Sequence, residues 1–101
     1  MIEARVSAYT LDATETIGRV ISVERTKADG SAWAVRCDRS CLRVIGGWCY
    51  EPMPSSRTDK FLAKHRFASA EAAIAAAQEA IQRWAAEMAK QKEAARGRTS
   101  T

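Results

Sequence analysis

A chain of 101 residues with 47% hydrophobic and 28% charged side chains has the size and composition of one globular domain, burying roughly two thirds of the surface its unfolded chain would expose. No apolar run approaches the ~20 residues a membrane-crossing helix needs. The opening MIEARVSAYT carries charge where an export signal has its apolar stretch, so cytoplasmic residence is the expectation. The formal net charge of +4 is uneven: residues 35–66 carry seven basic and three acidic side chains, and residues 89–101 carry four and one.

In chain order, Ile2, Ala4, Val6 and Ala8 alternate with Glu3, Arg5, Ser7 and Tyr9, the period of a half-buried strand. After a polar stretch at 12–15, the run TIGRVISVER puts Ile17, Ile21 and Val23 on one face of a second strand. Asp29-Gly30 supplies the positive backbone angles of a hairpin turn, and Trp33, Val35 and Cys37 resume the alternation beyond it. DRS at 38–40 reads as a turn. CLRVIGGWCYE reads as two short strands about Gly46-Gly47, which places Ile45, Trp48 and Tyr50 on one face with Arg43, and Leu42, Val44 and Cys49 on the other. Pro52 and Pro54 remove two backbone donors and make a loop. Phe61, Ala63, His65 and Phe67 then alternate with Leu62, Lys64 and Arg66, which predicts a last strand.

Ser69 is a good N-cap, and Glu71 sits where the helix dipole favours negative charge. Ile74, Ala77, Ile81, Trp84, Ala85 and Met88 form one apolar stripe on an alanine-rich background. The expectation is an α+β domain over residues 1–95, with four to six antiparallel strands, a long C-terminal helix packed on one face, and a flexible basic tail at 96–101. The helix is longer than a typical strand, so its last turns should project.

The chemistry-bearing residues are few. Cys37, Cys41, Cys49 and His65 number enough for a zinc site, but no Cys-x-x-Cys knuckle brings them together. An odd count of cysteines without an export signal reads as reduced, buried thiols. His65, the single histidine, falls on an apolar phase and reads as a satisfied, partly buried ring. No Walker loop, dinucleotide fingerprint or nucleophile elbow occurs. Neither an enzyme nor a cofactor is therefore expected, and no metal.

Binding has more support. Arg36, Arg43, Arg57, Lys60, Lys64 and Arg66 interleave with Trp48 and Tyr50, the pairing of cations for phosphates with rings for bases that single-stranded nucleic acid uses; the surface expected to bind comprises Arg36, Arg43, Trp48, Tyr50, Arg57, Lys64 and Arg66. Lys64 and Arg66 are expected on the sheet face away from the helix. The bland alternative puts Trp48 and Tyr50 under the helix beside Trp84, with the cations merely solvated. The element order resembles that of the whirly and positive-cofactor single-strand binders, a likeness that carries no sequence motif and assigns no residues. Small size and an alanine- and arginine-rich composition also resemble phage and plasmid accessory proteins, including anti-CRISPR inhibitors. The leading expectation is thus a binding protein for single-stranded nucleic acid or a nucleoprotein. The alternative is a protein-surface inhibitor or adaptor anchored by Trp48, Tyr50 and Met53 around Pro52. A homodimer through the projecting helix is a third reading.

Overall fold

A computed structural model describes residues 7–99. The elements in order are β1 (Ala8–Ala13), α1 (Thr14–Ile17), β2 (Arg19–Arg25), β3 (Trp33–Cys37), β4 (Ser40–Leu42), β5 (Trp48–Tyr50), a 3-10 turn (Pro54–Ser56), α2 (Asp59–His65) and α3 (Ala70–Thr99). Five strands make one antiparallel meander in the order β1-β2-β3-β4-β5, and α3 lies against one face of it. This is the expected α+β arrangement. No helix among the described residues is long and apolar enough to cross a membrane.

Residues 2–6 of the expected first strand lie outside the described residues. β1 runs instead from Ala8 through the stretch expected to be polar, with Tyr9, Leu11 and Ala13 opposite Val23, Ile21 and Arg19 of β2. Ile17 is buried from the single turn of α1, not from a strand, and Gly18 in the left-handed region ends that turn. β2 and β3 pair as expected, with Val23 opposite Val35 and Arg25 opposite Trp33, but the connection runs over residues 26–32 and only Gly30 of the Asp29-Gly30 pair has the positive φ expected of both. Their connection is held by Asp29, whose carboxylate accepts from the Ser31 amide and hydroxyl, and by Trp33, whose indole donates to the Gly30 carbonyl at 2.9 Å.

Two expectations are overturned. The segment 61–67 is not a strand: α2 covers Asp59–His65, and beyond it Phe67 exchanges both backbone hydrogen bonds with Trp33 at 2.8 Å each. A repeat of four residues satisfies a strand's period of two and also returns to the same helical face, so the apolar spacing of Phe61 and His65 fits either element. Local chemistry decides for the helix. The Thr58 hydroxyl accepts from the Phe61 amide at 3.1 Å, Asp59 sits in the first turn and Lys64 in the last, and the Phe61 and His65 rings stack with centroids 4.0 Å apart. Lys64 and Arg66 therefore do not project from a sheet face.

The faces of the β4–β5 hairpin are also exchanged. Leu42 is opposite Trp48 and Cys41 opposite Cys49, because the loop spans 43–47 and not the two glycines alone. An odd shift of register swaps every side chain between faces. Trp48 thus shares the α3 side with Leu42, and its ring meets Trp84 with centroids 6.0 Å apart.

α3 seats on the sheet through alanines. Ala73 and Ala77 are fully buried above Ile21, Val23, Val35 and Cys37, with Ile74, Ile81, Trp84 and Ala85 half-buried around them. Small side chains at the contact bring the helix axis close to the strands. The Ser69 hydroxyl accepts from the Ala72 amide at 3.1 Å. Ser69→Ala should therefore cost about 1 kcal/mol in urea unfolding, and an unchanged midpoint would contradict the cap. The apolar stripe ends at Ala85. Residues 86–95 are all exposed, including Met88, and the helix continues through 96–99 of the segment expected to be a tail.

The opposite sheet face is open over β1 and β2, where Thr10, Asp12 and Val20 are exposed, but closed over β3 and β4. Ala34 and Cys41 on that side have no exposure at all. The expectation of a continuous uncovered cationic face is thus corrected: half of that face is sheltered by the chain that follows β5.

Candidate functional site

The cations expected to form one binding surface fall into two groups. Three of them converge on a single carboxylate. Glu51 accepts from Arg36 Nε at 2.7 Å and Nη2 at 3.1 Å, and from Arg66 Nη2 at 2.8 Å, while Arg57 Nη2 stands 3.5 Å away. Arg36 also donates to Glu24 at 3.2 Å. The side chains of Arg66 and Glu51 are only 7% and 10% exposed. Burial would raise the Glu51 carboxyl, but the hydrogen bonds and charges of Arg36 and Arg66 outweigh it and hold the group below the usual glutamate range. Burial likewise works against the charge of Arg36, and its bonds to Glu51 and Glu24 more than compensate, keeping it above the usual arginine value. Arg36, Arg57 and Arg66 are therefore committed to holding the post-β5 segment on the sheet.

The aromatics are separated as well. Trp48 is half-buried against Trp84, whose ring also carries the Arg19 guanidinium 5.7 Å from its centroid. Tyr50 lies on the edge strand, opposite Ser40, and is 66% exposed.

Arg43 and Lys64 form the second group, and with them stands Lys60, one of the interleaved cations but not among the residues expected to form the binding surface. These three cations border a groove of about 570 Å³ between the β4–β5 loop and α2, with Val44, Ile45, Phe61 and His65 as its apolar and aromatic lining. Among the described residues no carboxylate lines it. The Gly46 amide donates to the Arg43 carbonyl at 2.9 Å, so Val44 and Ile45 are the two corner residues of a tight turn. Gly46 and Gly47 follow with φ of +98° and +89°, and a Cβ on Gly46 would stand 3.3 Å from Arg83 Nη1 of α3. The tip is fixed from the other side by Val44, whose amide donates to the Lys64 carbonyl at 2.8 Å. Ile45 is 87% exposed and Val44 48%.

That choice of residues runs against local folding chemistry. Turn corners favour Gly, Pro, Asn, Asp and Ser, and at 87% exposure Ile45 gains little from burial. A position that breaks a local rule without a folding benefit is where function is sought. The signal was visible in RVIGG, where two large aliphatics directly precede two glycines.

Neither Cys37 nor Cys41 is activated as a nucleophile. Burial pushes Cys37 up, with the Asp38 charge adding to it, and burial together with Glu51 pushes Cys41 up. Cys37 faces α3, whereas Cys41 and Cys49 face away from it. No group of three or more His, Cys, Asp or Glu that could hold a metal ion occurs among the described residues. His65 is more buried than expected and not satisfied: its Nδ1 is 2.7 Å from the Phe61 carbonyl, and its Nε2 has no partner among the described residues.

The chain matches no protein-family model, no curated protein and no solved structure, so its function is argued from this geometry.

Proposed function

We propose that this protein acts by covering an acidic patch on a partner protein, as an inhibitor or adaptor, and that it docks through the β4–β5 turn and the adjoining face of α2. One observation carries the reading: Val44 and Ile45 are presented to solvent at a clamped turn and ringed by Arg43, Lys60 and Lys64. Apolar anchors inside a charged rim are the anatomy of a protein interface. A turn held by hydrogen bonds on both sides loses little freedom on docking, which favours affinity. The cations complement an acidic surface and mainly speed encounter. Stacking on nucleobases would call for free aromatic faces beside free cations. Here Trp48 is occupied by Trp84, and Arg36, Arg57 and Arg66 by Glu51, which leaves Tyr50 as the single expected ring with a free face.

The test is retention of a partner from a nuclease-treated lysate of the source cell, followed by titration of that purified partner. Ile45→Asp should weaken binding by about thirtyfold, the scale of an interface hot spot, while leaving the thermal midpoint unchanged because the side chain is exposed. Lys60→Glu with Lys64→Glu should slow association and flatten its salt dependence. Equal affinity of wild type and Ile45→Asp would overturn the proposal. So would loss of all retention after nuclease, coupled with tight, salt-sensitive binding of a single-stranded oligonucleotide.

A further inference from the structure

Cys41 of β4 and Cys49 of β5 stand directly opposite one another. The Arg43 amide donates to the Gly47 carbonyl at 3.0 Å on one side of this pair, and the Glu51 amide to the Arg39 carbonyl at 3.1 Å on the other. Bonded and non-bonded pairs alternate along an antiparallel ladder, so 41 and 49 form a hydrogen-bonded pair, whose Cα atoms are about 5.5 Å apart. That lies within the range of about 4.4–6.8 Å that a disulfide spans. Both side chains leave the sheet on the face away from α3, and the charge of Cys49 is among the causes that raise the Cys41 thiol. Cys37 leaves by the other face, against α3, and cannot compete for either.

The two thiols differ in access. Cys49 is half-buried with its Sγ 3.9 Å from Arg43 Nη2, whereas Cys41 has no exposure. An accessible thiol beside a guanidinium, with a second thiol behind it, suits a redox-responsive pair in which the first attacks and the second resolves. A resolving thiol needs to be reached only by its neighbour. The frame also favours reversal. A disulfide holds its Cβ atoms closer than a hydrogen-bonded pair sets them, so closing the bond must draw β5 inward. β5 has three residues and pairs with β4 alone. It can follow, at a strain that leaves the bond easier to reduce than a structural disulfide.

We propose that Cys41 and Cys49 form a reversible intramolecular disulfide on meeting a low-molecular-weight disulfide. The Cys49 thiolate, its proton given to water, attacks one sulfur of the oxidant, whose S–S bond breaks and whose other half leaves as a thiolate. Cys41, losing its proton in turn, attacks the Cys49 sulfur of the mixed disulfide, and the second half of the oxidant leaves. The cysteine sulfurs have then lost two electrons, and the oxidant has gained them as two thiols. Cys41 is not activated, so the second step depends on the proximity that an intramolecular partner supplies. The bond would fasten the two strands that carry the Val44–Ile45 turn. An effect on docking rests on the docking reading; the disulfide itself does not.

The experiment is oxidation of the full chain by glutathione disulfide, followed by blocking of free thiols with N-ethylmaleimide and mass spectrometry of the tryptic peptides. Arg36, Arg39 and Arg43 put each cysteine on its own peptide, so the linkage is read directly. Peptides 40–43 and 44–57 should appear joined, and reduced glutathione should separate them again. In Cys41→Ala the reaction should stop at the glutathione adduct of Cys49, at least about tenfold more abundant than in wild type because no neighbouring thiol displaces it. Cys49→Ser should leave Cys41 free, to be blocked only after unfolding. If Cys41→Ala does not fold, the wild-type map and Cys49→Ser decide alone. A glutathione adduct that persists at Cys49 of wild type, or a Cys49–Cys49 link between copies, overturns the proposal. So does a wild type whose three thiols all stay free at the most oxidising glutathione ratio.

Discussion

Replacing Glu51 with glutamine should lower the unfolding free energy by about 3 kcal/mol, the low end of what breaking a buried ion pair costs when the partner charges stay behind. Glutamine keeps the shape of the side chain and one acceptor, so the loss reports charge and not volume. Three guanidiniums would then share a cluster with Glu24 alone, and the most buried of them, Arg66, would have no carboxylate. The pH dependence gives a second reading. Because the folded Glu51 carboxyl is held below its ordinary value near 4.5, its contribution is fully present above that value and is lost as pH falls through the folded value. Asp12 and Asp29 are also lowered, by hydrogen bonds from Thr14 and Ser31, but they titrate alike in both proteins. In urea unfolding below pH 4.5, wild type should therefore lose stability more steeply than Glu51→Gln. Parallel curves, or an unchanged midpoint at pH 7, would show that the cluster does not hold the post-β5 segment in place.

Trp33→Ala should be at least as damaging, at about 3–5 kcal/mol for a buried aromatic truncated to a methyl group, out of a total that is commonly 5–15 kcal/mol. The ring is buried and lies 5.9 Å from that of Tyr9, its indole donates to Gly30, and its backbone bridges Phe67. It therefore ties the β2–β3 connection to the segment between α2 and α3. Trp33→Phe keeps the ring and should cost only about 1 kcal/mol more than repacking, the worth of one hydrogen bond. A thermal melt in which both variants fall equally would place the loss in the indole bond and not in the core.

What could be read from the residues alone followed how local the physics was. The Asp29-Gly30 reversal and the Ser69 start of α3 are decided by neighbours within four positions, and both stand, the first through a longer connection. The span 61–67 failed because its apolar spacing suits two periods, and the deciding information, the Thr58 hydroxyl, lay just upstream of the pattern. The register about Gly46-Gly47 failed because Leu42 selects Trp48 as its opposite through a five-residue loop, which no alternation reveals. Arg36 and Arg66 could not be recognised as spent cations, since each is separated by 15 positions from the carboxylate that binds it. Arg43 and Lys64 do share a groove, but Lys60, Val44 and Ile45 complete it only once residues 59–65 are coiled.

The outer half of α3 has a mechanical meaning. Residues 86–99 extend roughly 21 Å past the last side chain seated on the sheet, in a molecule measuring 66 × 31 × 19 Å. A rod gripped at its root by alanines is a lever arm: a tilt of about 10° at Ala85 would sweep its far end through about 4 Å. Small readjustments beneath Trp84 would thus be magnified at a distance, and backbone amides along the arm should exchange with solvent progressively faster with distance from Ala85.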